Sequence, residues 1–338
     1  MGGINLKATK NKSKTHNIMP LIIISVVILI ISQWVLGKFF FLISSHFGNS
    51  NVEIYSTQIT SEEKKIIDEF NKLQKTNVAG SELIDFLKSN MKNFSKFTSC
   101  NILHSYENYQ LSQLDNISRT LNDSSNKNSL LTYIQNNGSL DTNITSLKEV
   151  NLNMLKSIDD SKLKDYVQDM KDSGYKIFFN KTSFIPLIDF SFYQSKFSSY
   201  MDDYTKDYFQ LMNKEQDFKM ALDNTSQVTG DNVQAIIINF ETYLKENPKS
   251  FKENELKEKY CEYIKLYTLG SPKFPVYNKN NILLPELKKS YEKLMVSSSS
   301  SELKDIVKKL IEILETSNYS LNNKVEEYVL DSIRGILH

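Results

Sequence analysis

The chain has 338 residues and 41 basic against 40 acidic side chains, a net charge of +1, and past position 45 the two signs are interspersed rather than in blocks. That pattern offers no electrostatic footprint for a phosphate backbone and argues against nucleic acid as a partner. Two cysteines, Cys100 and Cys261, are too few for a disulfide-built scaffold in a chain of this length, and two free buried thiols are the simpler expectation.

Residues 1–17 form a basic tail with Lys7, Lys10, Lys12 and Lys14. From Ile18 to Gly37 no charge occurs, and a helix of twenty such residues reaches about 30 Å, the thickness of a bilayer's hydrocarbon core. The sequence therefore predicts a single transmembrane helix over 18–43, with Trp34 and Lys38 at its interface and the lysine-rich end in the cytoplasm. A cleaved signal peptide is the alternative for the same stretch. Everything after a stalk at 44–59 would then lie outside the cell membrane. Five of the 41 basic residues precede position 45 and no acidic one does, so this remainder carries 36 basic against 40 acidic residues.

Thr60 and Glu63 fit a capping box for a helix carrying Ile66, Ile67, Phe70 and Leu73. After Gly80, helical spacing recurs through Leu83, Leu87 and Met91, and again from Ile102 to Leu121. Asn122 to Ser129 reads as a polar loop, and Leu147 to Ile158 as a helix followed by another through Leu163, Val167 and Met170 up to Gly174. Between Tyr175 and Phe190 two β-branched and aromatic runs flank Asn180 to Ser183, which predicts a hairpin whose second strand, carrying Pro186, is an edge. This hairpin separates an N-terminal helical part (60–173) from a C-terminal one (174–338). The expected fold class is all-α with at most one short β-hairpin.

The second part opens on an aromatic stripe, Tyr193, Phe197, Tyr200, Tyr204 and Tyr208, at helical spacing. Such rings ordinarily fill a core, but Tyr200, Tyr204 and Tyr208 are also the candidate lining of a ligand groove, since tyrosine joins a flat apolar face to a hydroxyl for glycan or peptide recognition. Further helices are expected through Val233 to Leu244, Leu256 to Tyr267, Leu287 to Leu294, Leu303 to Leu314 and Val325 to Leu337. The run from Gly174 through Phe184 to Phe190, the tyrosine-rich helix, the Asn247, Pro248, Lys249, Ser250 break and the Tyr260 to Gly270 helix end resemble extracytoplasmic helical regions of uncharacterised membrane-anchored envelope proteins of low-GC Gram-positive bacteria. The resemblance covers about the last half of the chain and implies an envelope location and a helical fold, with no site residues attached.

Signatures of serine hydrolases, phosphate loops, dinucleotide folds and zinc proteases are missing from the sequence. Cys100 and His104 share a helix face but lack the further ligands that zinc needs. Acidic neighbours such as Asp159 with Asp160, Asp202 with Asp203 and Glu326 with Glu327 point about 100° apart on a helix and do not meet as an acid and base pair. The Asp223 to Asp231 loop departs from the calcium-loop pattern. No catalytic, metal or cofactor residue is assigned, and cofactors are expected to be none. The function expected is a membrane-anchored extracytoplasmic binding or scaffold protein whose partner is another envelope protein or a cell-wall component. Its rivals are a carboxylate enzyme acting on wall polymer and a ligand-sensing ectodomain.

Overall fold

The computed structural model describes residues 59–337, apart from 77, 137–146, 224–227, 249 and 299. These residues are mostly helical, with one small three-stranded sheet. In chain order the helices are α1 (Ser61–Lys75), α2 (Gly80–Asn90), α3 (Lys96–Asn122), α4 (Ser124–Asn136), α5 (Ser161–Asp172), α6 (Phe190–Phe197), α7 (Asp203–Asp223), α8 (Gly230–Glu246), α9 (Glu253–Leu269), α10 (Pro285–Val296), α11 (Glu302–Thr316) and α12 (Asn323–Leu337). Strand β1 (Lys148–Glu149) precedes α5, while β2 (Tyr175–Phe179) and β3 (Phe184–Ile188) form the expected hairpin between α5 and α6.

Local chemistry explains several boundaries. The Thr60 hydroxyl accepts from the Glu63 amide at 3.1 Å while Glu63 Oε2 accepts from the Thr60 amide at 2.8 Å, so the capping box forms. The other oxygen of Glu63 accepts from the Ser95 amide at 2.8 Å, and Ser95 in turn caps α3. One buried carboxylate thus ties the starts of two helices. At the hairpin, Asn180 Oδ1 accepts from the amides of Thr182 and Ser183. The Asn122 carboxamide then brackets Phe184, donating to its carbonyl at 2.7 Å and accepting from its amide at 2.8 Å, which docks the end of α3 on β3. Strand order is β1-β2-β3, all antiparallel, with Ile177 opposite Pro186, so the proline lies on an edge strand that tolerates its missing N–H.

Three expectations are corrected. Leu147 to Ile158 is not a helix but β1 followed by a 3₁₀ turn at Leu152–Ser157, because the Val150 amide donates to the Ile177 carbonyl at 2.7 Å and so enters the sheet. The polar stretch from Asn122 contains most of the first turns of α4, whose Leu130, Tyr133 and Ile134 are buried while its Ser and Asn side chains cover the outer face. The aromatic stripe does not run along one helix. A 3₁₀ turn at Ser198–Tyr200 and an extended Met201 divide α6 from α7, and Asp202 Oδ1 takes the Thr205 amide at 2.7 Å as a cap.

The expectation of a single-pass membrane protein is also corrected. No helix among the described residues is long and apolar enough to cross a membrane. Even α3, with 27 residues, carries Glu107, Asp115 and Arg119 among its apolar positions, the amphipathic pattern of a helix packed in a protein interior. The predicted span at 18–43, with Trp34 and Lys38, lies outside the described residues, and the cytoplasmic N-terminus and extracytoplasmic bulk inferred from it fall with it. Residues 224–227 of the Asp223 to Asp231 loop also lie outside.

A single apolar core runs from Phe70 in α1 to Val329 in α12. Within it α9 packs against α8 and α12, α7 against α6 and α8, α2 against α5, and α3 against β3. Gly174, at the corner between α5 and β2, has φ +77°, and a Cβ there would meet the Phe192 ring at 2.8 Å. Glycine is required at that corner on both counts.

Candidate functional site

Two polar assemblies are built around α3. The first is closed. Glu107, buried on the face of α3 toward α7, accepts from the Tyr208 hydroxyl at 2.6 Å, pairs with Lys252 Nζ at 3.0 Å and lies 3.3 Å from His104 Nδ1. Lys252 is itself buried, lies 3.6 Å from Glu255 and stands 5.5 Å above the Tyr208 ring. Burial alone would raise the Glu107 carboxyl, but the Lys252 charge, then the His104 and Tyr208 bonds, hold it at about 2. His104 is stacked between Phe209 and the half-exposed Phe251, at 5.5 and 5.2 Å between ring centres. This clamp joins α3, α7 and the segment before α9. A second clamp of the same kind holds α7 to α9, where Glu215 pairs with Lys259 at 3.1 Å and Lys219 at 2.8 Å and accepts from the Tyr263 hydroxyl at 2.9 Å. Its carboxyl, which burial would raise, is likewise held at about 2 by the two lysines.

These partners leave no buried carboxylate free for acid or base work at the clamps. Glu241 is committed as well, accepting from the Glu302 amide at 2.7 Å and so capping α11, while Lys245 reaches it at 2.6 Å. Tyr260 bridges Glu241 and the exposed Glu302 at 3.4 and 3.3 Å, the one phenol shared by two carboxylates among the described hydrogen bonds.

The tyrosines named as a groove separate. Tyr208 is enclosed on Glu107, Tyr200 is half-buried in the 3₁₀ turn, and Tyr204 is 59% exposed. Both cysteines are free and buried, Cys100 accepting from the Asp202 amide at 3.4 Å and Cys261 facing the Ile333 carbonyl. Asp160 caps α5 and Asp203 pairs with Lys206, so the acidic neighbours act locally.

The second assembly is open. A cleft of about 470 Å³ lies between the start of α2, one face of α3 and one face of α5, over the beginning of β2. Tyr109, Gln113 and Asn116 line it from α3 and Tyr166 and Asp169 from α5, each series at one-turn spacing, and Tyr175 adds a third phenol from β2. Tyr109 and Tyr166 are half-buried, and Tyr175 is buried at the floor. Burial raises all three phenols above their ordinary value, and the nearby Asp169 carboxylate adds to the effect, so all three keep their protons near neutrality.

The cleft is rigidly supported. Tyr175 donates to the Gln110 carbonyl at 3.2 Å. The fully buried Gln110 side chain donates to the Ser173 carbonyl at 2.7 Å and accepts from Tyr193 at 2.5 Å, and the Tyr106 hydroxyl also donates to Ser173 at 2.8 Å. Asp169 closes the opposite wall: Oδ2 takes the Gly80 amide at 3.2 Å, while Oδ1 takes the Ser81 amide at 2.9 Å and the Ser81 hydroxyl. At Gly80 an added Cβ would meet Ser173 Oγ at 2.4 Å, so this wall approaches α5 as closely as only glycine permits.

Helical spacing places Tyr109 among the buried positions of the helix from Ile102 to Leu121 and Tyr166 among those of the helix through Leu163 and Met170, and it does not single out Gln113, Asn116 or Asp169. The available signal was the matched polar spacing on the two helices, which becomes meaningful only once α3 and α5 are known to face each other. No family model, curated protein or solved structure matches the chain, so its reading rests on these residues alone.

Proposed function

We propose that this chain is a non-catalytic helical binding protein whose ligand sits in the tyrosine-lined cleft. One observation carries the reading: three protonated phenols, Tyr109, Tyr166 and Tyr175, converge on an open cavity of about 470 Å³, a size in the range of small-molecule sites. The buried carboxylates elsewhere support the same reading, because Glu107, Glu215 and Glu241 are engaged by lysines, phenols or backbone amides and are poor candidates for proton transfer.

A fragment screen against the full chain by NMR tests this. Binders are expected to perturb the ring resonances of Tyr109 and Tyr166, and Tyr166→Ala is expected to remove the perturbation. A screen in which no compound reaches those rings, or in which a bound compound is chemically converted, would overturn the proposal.

A further inference from the structure

We infer that the ligand class of this cleft is a neutral carbohydrate, an inference that rests on the cleft being the binding place. The lining contains no Lys, Arg or His, so an anionic ligand would meet no counter-charge there. Its one charge, Asp169, has both oxygens occupied by Gly80 and Ser81 and sits at the start of α2, where the helix dipole already offsets it. An organic cation would have to compete with that cap. An extended peptide finds at most two residues of strand to pair with, because β2, which supplies Tyr175, is bonded by β3 along its length and by β1 and Val150 over residues 177–179.

What the cleft does present is neutral: phenol rings and two carboxamides. Gln113 is half-buried, with its Nε2 at 3.3 Å from Ser112 Oγ, and the exposed Asn116 carboxamide has no hydrogen-bond partner among the described residues. A carboxamide offers a donor and an acceptor side by side, which matches a pair of neighbouring sugar hydroxyls. The C–H face of a pyranose ring needs the flat apolar surface that a tyrosine ring supplies, here from Tyr109 and Tyr166. A floor fixed through Gln110 and Ser173 lets such a ligand bind without ordering the protein first.

The test titrates the full chain with maltose, cellobiose and diacetylchitobiose, each to about 10 mM, against choline and glucose 6-phosphate as charged probes, by saturation-transfer NMR and calorimetry. At least one neutral disaccharide is expected to bind while both charged probes do not. Asn116→Ala, at an exposed position that should leave folding intact, and Tyr166→Ala are each expected to weaken binding about tenfold, the loss of one hydrogen bond or ring contact. Absence of disaccharide binding, or binding undiminished in both variants, overturns the inference. Choline binding that Tyr166→Ala abolishes also overturns it, but leaves the binding-protein reading standing. If neither these probes nor any screened fragment reaches Tyr109 and Tyr166, both fail together.

Discussion

The Glu107 clamp and the tyrosine cleft share a helix and a set of ingredients, yet one is shut and the other open. Glu107 and Tyr109 are two residues apart on α3, about 200° around its axis, so they serve opposite sides. On the Glu107 side a carboxylate and a phenol, Tyr208, are enclosed with Lys252 and with His104, whose ring is stacked on those of Phe209 and Phe251. On the Tyr109 side the half-buried Tyr109 and Tyr166 meet no such cover above the buried Tyr175, because Asp169 turns toward the backbone of α2 and no lysine lines the space. The difference teaches that tyrosine and acid content does not decide between interior packing and a ligand surface. What decides is whether a third element closes over them.

The largest effect expected from breaking this contrast is at the closed side. Glu107→Ala leaves Lys252 buried without its nearest partner and should cost about 3–5 kcal/mol in urea unfolding. Combining it with Lys252→Met should recover a good part of that loss; a double variant as unstable as the single one would mean that the pair is not the source. Gln110→Ala, beneath the cleft, strips a partner from the Ser173 carbonyl and from Tyr193 and should cost about 2–4 kcal/mol in the same measurement.

Acid sharpens the comparison without mutation. Glu107 and Glu215 titrate at about 2 in the folded protein, below their ordinary 4.5. Their contribution to stability is therefore full above about 4.5 and is lost as pH falls toward 2. The melting temperature should drop through that window, and Glu107→Gln, already destabilised at neutral pH, should show a shallower drop. A variant with an unchanged slope would show that Glu107 does not govern the acid transition.

Smaller effects belong to the open side. Asp169→Ala removes the cap of α2 and should cost about 1–2 kcal/mol, less than Glu107→Ala, because water replaces a partner at a half-exposed carboxylate. Asn116→Ala should change stability by no more than about 0.5 kcal/mol, read from its melting curve, since the exposed side chain supports nothing else in the fold. Equal losses at Asp169 and Glu107 would erase the distinction drawn between the two sides.

Much of the architecture was legible residue by residue. The capping box at Thr60 and Glu63, the hairpin around Asn180, the helix stop at Gly174 and the apolar spacing of α1, α8, α9 and α11 are local signals, carried by residues within a few positions of one another. Those are the features that amino-acid order alone determined. Two failures differ in kind: Val150 left a helical pattern for the distant backbone of Ile177, whereas the tyrosine stripe is divided by a local cap, Asp202 on the Thr205 amide, with the Asp202 amide also held by the distant Cys100. The sites belong to the first kind. Glu107 meets Lys252 across 145 positions, and Asp169 meets Gly80 across 89, as their numbers show. Only the tertiary structure decided which tyrosines are enclosed and which line a cleft, because enclosure depends on elements far away in the chain, and helical periodicity records a buried face without recording what, if anything, lies against it.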